Sequence, residues 1–249
     1  MTENLKSNNC LNCGASLQGN FCSHCGQKVI LDRITFKETF RNFLSSSFSL
    51  EGPLLFTIHQ LIVNPGKVFR EFIGGKRKTY YQPVQFYVLL TALYLIIRAL
   101  LNYDPLEGQI AFDDLHASAA VNKSKEVARF MVDNINNIMF FLVFSIAFML
   151  KLFFRKHYNL AEYTAVGLFI TGMYILIGIL MMFIAVITST HTNKIQLLIM
   201  LVLIGYGAAS FFRRFNFWSI IKYVLVSCFS LVLYMILGFG FSFIVVSLR

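Results

Sequence analysis

Five stretches of this chain are too long and too apolar to be absorbed by one soluble core. They run over residues 84–101, 135–154, 165–187, 195–212 and 222–246, and crossing a bilayer takes about 17–25 such residues. At about 1.5 Å per residue the shortest reaches about 27 Å, thin but sufficient. Charge, proline or asparagine bounds them: Pro83 precedes the first, Asn134 precedes the second, and Lys151 and Arg155 close it. One such stretch could be a buried helix, but five of them after residue 83 need lipid as their solvent. Composition agrees, with 57% hydrophobic and 14% charged residues against roughly 25% charged in ordinary soluble domains. The same balance excludes a disordered chain, a collagen-like repeat and a disulfide-rich secreted scaffold. The sequence therefore predicts an all-α integral membrane protein, with a small metal-binding unit over 1–30, an amphipathic juxtamembrane region over 31–83 and five transmembrane helices over 84–249.

Four of the five cysteines fall early, as Cys10-Leu-Asn-Cys13-Gly and Cys22-Ser-His-Cys25-Gly. Two cysteines three apart in a tight turn aim both thiolates at one tetrahedral ion, and a second such turn completes a four-cysteine shell, as in a zinc ribbon. Gly14 and Gly26 follow each knuckle, where the backbone must turn so that its amides reach sulfur. Phe21 is expected to supply what little packing so small a unit has. Two disulfides, or four unrelated cysteines, are the competing readings. A closed shell of four sulfurs leaves no open position, so Zn2+ bound by Cys10, Cys13, Cys22 and Cys25 would be structural, and His24 would face solvent. Cys228, alone in the last stretch, reads as a small apolar filler. The polar start shows no secretory signal pattern.

The net charge of +10 suits contact with anionic lipid better than nucleic acid once its distribution is considered. With the N-terminus in the cytoplasm, sixteen Lys and Arg lie inside and five outside, and Arg98 lies within a span. The 102–134 segment, placed outside, carries six acidic residues. The alternation predicts N-terminus in and C-terminus out. It also puts the cysteines in a reducing compartment, where thiolates stay available to metal.

Between cysteines and spans, Phe36, Phe40, Phe43 and Leu44 recur at helical spacing opposite Lys37, Glu38, Arg41 and Ser45, an interfacial helix. Residues 53–63 are apolar but too short to span, and so interfacial or docked under the bundle. Asn64-Pro65-Gly66 reads as a helix start, Asn64 capping and Pro65 at the first position. In that helix Val68, Phe69, Phe72 and Ile73 share a face; Lys67, Arg70 and Glu71 point away. Gly74 and Gly75 end it, and Lys76, Arg77 and Lys78 with Tyr80 and Tyr81 precede the first span. This cluster is the expected lipid- or anion-binding site, cations meeting phosphates while phenols sit at headgroup depth.

In these residues the chain resembles an uncharacterised bacterial membrane family, domain of unknown function 3667. The resemblance rests on the two Cys-x-x-Cys-Gly knuckles with Gln27, on Asn64-Pro-Gly66, and on Gly75-Lys-Arg77 and Tyr81-x-Pro83. It implies a multi-pass protein of a bacterial inner membrane and names no activity. The five-span, N-in layout is also similar to that of Yip1-like membrane proteins.

The spans hold little chemistry. Arg98 is the only charge well inside a span, expected to snorkel or to pair with Asp104 or Glu107, with an anion site facing the bundle as the sharper alternative. No Asp, Glu or His lies within any of the five stretches, and no hydrolase, zinc-protease or phosphate-loop motif occurs. Gly205-x-x-x-Ala209 suits close helix packing, within the bundle or between copies in a homo-oligomer. The favoured function is a non-enzymatic scaffold or adaptor with a cytoplasmic head for a protein partner. A transporter or channel for an anionic or lipid-like solute is the alternative, and nucleic acid is not an expected partner.

Overall fold

The computed structural model describes residues 9–29, 33–37, 39, 53–105, 119–155, 157–188 and 193–248. Most of the interfacial helix expected around Phe40 and Leu44 lies outside them. Among the described residues the regular elements are helices: α1 (Leu54–Val63), α2 (Pro65–Ile73), α3 (Pro83–Leu100), α4 (Ala119–Asp133), α5 (Ile135–Phe153), α6 (Leu160–Thr188), α7 (Asn193–Phe212) and α8 (Phe217–Ser247).

Four helices are long and apolar enough to cross a membrane: α3, α6, the Ile195–Phe212 part of α7, and α8. The second predicted stretch is α5, and here the structure differs from the expectation. α4, which falls within the segment expected as an outer loop, meets α5 at a bend of 86°, so a fifth span exists only if the bent pair is taken as one. Its apolar stripe is thin. Val127 is fully buried, the Met131 methyl packs by Gly238 of α8, and the Lys123 ammonium lies 4.8 Å over the Phe243 ring. Intervening Lys, Glu and Arg hide that stripe from a hydropathy count.

α6 is the hub, touching α1, α2, α3, α5 and α7, while α8 packs on α5 and α7 and carries α4. Every residue of α6 from 161 to 173 is buried. The helix begins at Leu160, a turn before the predicted 165, because Asn159 and Glu162 close a capping box. The Glu162 amide donates to Asn159 Oδ1 and the Asn159 amide to Glu162 Oε2, both at 2.7 Å. An acid thus lies within a candidate span, in its first turn and only 3% exposed. Arg33 donates to it from Nε at 3.1 Å and Nη2 at 2.8 Å, and Asn159 Nδ2 donates to the Ile34 carbonyl. Glu162→Ala is therefore expected to cost about 1–2 kcal/mol, the usual loss of a good cap, read as a lowered Tm of the full chain in detergent. Arg33→Ala should cost less, since its side chain is 68% exposed. Equal effects would contradict the capping account.

The α5–α6 and α7–α8 connections meet at one end of the bundle, called the head end below. Phe154 stacks on Phe212 with centroids 3.9 Å apart, Tyr158 on Phe211 at 4.9 Å, and the Tyr223 hydroxyl donates to the Arg214 carbonyl. α2 is seated here rather than lying free on a surface. Asn64 and Pro65 act as the sequence predicts, with the Lys67 amide donating to Asn64 Oδ1 at 3.1 Å. Val68, Phe69 and Phe72 are buried, and Phe69 packs on Phe169 and Phe211. Arg70, expected to point away, instead donates from Nη1 to the carbonyls of Ser210 (2.5 Å) and Phe211 (2.7 Å). Those are among the orphan acceptors that end α7. Gly205 of the small-residue pattern faces Ser227 of α8, a contact inside the bundle.

Candidate metal centre

The two cysteine knuckles fold as near copies of each other. In the first, the Cys10 amide donates to Ala15 O and the Gly14 amide to Cys10 O; in the second, Cys22 donates to Gln27 O and Gly26 to Cys22 O, all at 2.7–2.8 Å. Isolated bridges, Asn9 with Ser16 and Phe21 with Lys28, close each loop. Gly14 and Gly26 sit at φ +79° and +69°, the left-handed region where a Cβ is costly, which is why glycine follows each pair.

This pairing of turns gathers four sulfurs. Cys10 Sγ lies 3.6 Å from Cys25 Sγ and Cys13 Sγ 3.6 Å from Cys22 Sγ, all four within 4.8 Å of one another. The cysteines are free thiols, with no disulfide among them. Tetrahedral thiolate coordination at about 2.3 Å places sulfurs roughly 3.8 Å apart, so the cluster has the size a metal ion needs. The backbone of Cys25, followed by that of His24, holds the Cys22 thiol down at about 6, while desolvation and the neighbouring thiols push Cys13 up. His24 is exposed. Phe21 does not provide the expected packing: it is 61% exposed.

The unit compensates for its missing core by docking. Gln27, 3% exposed, donates from Nε2 to Gly75 O at 2.8 Å. Its Oε1 accepts from the amides of Arg77 (3.1 Å) and Lys78 (3.3 Å). Asn12 Oδ1 accepts from both the amide and the hydroxyl of Thr79 at 2.9 Å. The knuckles are thereby fastened to the turn that leads into α3. In the sequence Gln27 stands out only as part of a motif, with no role, and nothing marks Asn12; their partners lie 48–67 residues away.

That attachment changes how the five residues of the expected anion site are displayed. Lys76 Nζ pairs with Glu71 at 3.0 Å and the Tyr80 hydroxyl donates to the same carboxylate at 2.6 Å. Burial opposes the Glu71 charge, but Tyr80 and Lys76 outweigh it and keep the carboxyl below its ordinary value. Tyr80, Tyr81 and Arg77 are buried. Lys78 is the exposed cation of the three.

Arg98 lies at the opposite end. Its Nε donates to Tyr103 O (3.3 Å) and Nη1 to Val132 O (3.2 Å), with Asp133 3.9 Å from Nη2. The expected partner Asp104 instead accepts from Arg129 at 2.7 Å, and Glu107 lies outside the described residues. Arg98 therefore joins the end of α3 to the end of α4.

No curated protein and no solved structure matches the chain. Residues 51–95, reaching from before α1 well into α3, match the family described as a protein of unknown function (DUF3667).

Proposed function

We propose that this chain is a non-enzymatic membrane scaffold or adaptor, carried by five spans, with a zinc ribbon as its cytoplasmic head for a protein partner. The observation that carries the reading is the closed cluster of four cysteines fastened by Asn12 and Gln27 to the turn before α3. Four thiolates fill a tetrahedral shell and leave no position for a substrate, so the metal's work is to hold a surface. That surface offers exposed apolar side chains, Leu11 and Phe21. The N-in orientation draws support from the cation alternation and from the convergence of the head with the α5–α6 and α7–α8 connections at one end. Exposed Lys78, with Arg213 and Arg214 at the same end, suits an anionic leaflet.

The test uses the full chain purified from membranes. About one zinc per chain is expected, together with a cross-linked protein partner that is lost with Cys13→Ser and retained with Arg98→Gln. Absence of zinc, or a partner set indifferent to Cys13→Ser, would defeat the reading.

A further inference from the structure

We propose that the cleft between α6 and α7, floored by α2, holds part of an acyl chain of a bilayer lipid. It encloses about 150 Å³, walled by Phe69, Phe169, Met173, Ile177, Leu203 and Gly207, with Tyr206 and Ile62 at its exposed edge. α2 creates the space by wedging its Phe69 ring against Phe169, and Gly207 deepens it by having no side chain.

The chemistry of the walls selects the occupant. An ordered water needs about two to four polar partners, and the lining side chains offer one hydroxyl, that of Tyr206. It already donates to the Val63 carbonyl at 3.2 Å. Water is therefore excluded, and a void left empty forfeits the dispersion contacts of every atom around it. A cavity of about this volume is enough for one benzene ring, so it takes a few methylenes of a longer molecule, whose remainder must lie along an apolar face. Such a face adjoins it: Leu198 and Val202 of α7 are 60% and 59% exposed, on a helix of spanning length and hydropathy. Leu203 and Gly207 sit about 8–14 Å along α7 from its head-side end, the depth of hydrocarbon in the leaflet on that side. The inference rests on α6 and α7 being membrane spans and is independent of the zinc and the adaptor reading.

The full chain would be reconstituted in nanodiscs of phosphatidylethanolamine and phosphatidylglycerol containing a small fraction of phospholipid with a diazirine midway along one acyl chain. After illumination, adducts are mapped by peptide mass spectrometry. Labelling at Met173, Ile177 and Leu203 is expected to exceed that at Val232 and Ile236, on an exposed face of α8, by about threefold, modest for filling a cavity of this size. Leu203→Trp fills the cleft, and Ile62→Trp covers its edge from an exposed position that no core packing depends on. Both should bring the cleft down to the α8 level and leave α8 unchanged. Equal labelling of cleft and α8 in the unmodified protein overturns the proposal, as does an excess that survives both tryptophans. Absence of adducts from α8 as well would remove the membrane reading, and the cleft proposal with it.

Discussion

Replacing Cys13 and Cys22 together by serine is expected to expose the Lys76–Arg77–Lys78 turn to trypsin while leaving the helical bundle folded. Metal contributes on the order of 10–16 kcal/mol of apparent folding free energy to small units of this kind. Nothing else in the knuckles approaches that, since their one phenyl ring, Phe21, is 61% exposed. On the zinc reading, a unit without its ion no longer holds Gln27 and Asn12 in register with the turn. Five hydrogen bonds then go at once: the one Gln27 donates to Gly75, the two it accepts from Arg77 and Lys78, and the two Asn12 accepts from Thr79. At about 0.5–1.5 kcal/mol each, their combined loss should raise cleavage after residues 76–78 at least about tenfold, since protection follows the free energy of local opening. A chelator should reproduce the effect on the unmodified protein, and Gln27→Ala should fall between the two. The Tm of the bundle should move little, because α6 and its neighbours make none of these contacts. Unchanged protection in the double serine variant would mean that the turn holds itself and the knuckles merely lean on it.

The contrast between knuckles and docking shows what the sequence could and could not disclose. Cys10 with Cys13, and Cys22 with Cys25, are three residues apart, so spacing alone predicts their shared turn, and Gly14 and Gly26 confirm it through their positive φ. Four of the five apolar stretches reappear as helices of spanning length because hydropathy is itself the physical cause of insertion. What escaped depends on contacts far apart in the chain. Arg33 meets Glu162 across 129 residues and Arg70 meets Ser210 across 140; no local pattern announces either. Glu162 is legible in part, since Asn159-x-x-Glu162 is a capping box in all but its asparagine. Hydropathy hides it by setting the start of the span at 165. α4 is hidden for the opposite reason: charge dominates a segment whose apolar stripe amounts to Val127, Met131 and little else.

Gly66→Val should be among the most damaging single substitutions in the described chain, and the reason is geometric. A Cβ on residue 66 would run into the Ser210 carbonyl and the Phe211 amide nitrogen. These are backbone atoms of α7 with no rotamer by which to retreat, so α2 itself must lift. Lifting it breaks a connected set. The Gly66 amide donates to Ser210 Oγ at 3.0 Å, Ser210 Oγ in turn reaches Asn64 Oδ1 at 3.1 Å, and Arg70 caps two carbonyls at the α7 terminus. A guanidinium at that position also opposes the negative end of the helix dipole. Phe69 would leave its place against Phe169 and Phe211. Overpacking alone costs typically about 1–3 kcal/mol; with the cap lost as well, Gly66→Val should reach or exceed the top of that range. Arg70→Ala, which removes only the cap, should cost about 1–2 kcal/mol. Gly240→Val is the matched control, because nothing lies within 4 Å of its would-be Cβ, and its Tm should stay at that of the unmodified chain. If the two valine variants unfold together, in either direction, Gly66 is not the close contact on which the seating of α2 depends.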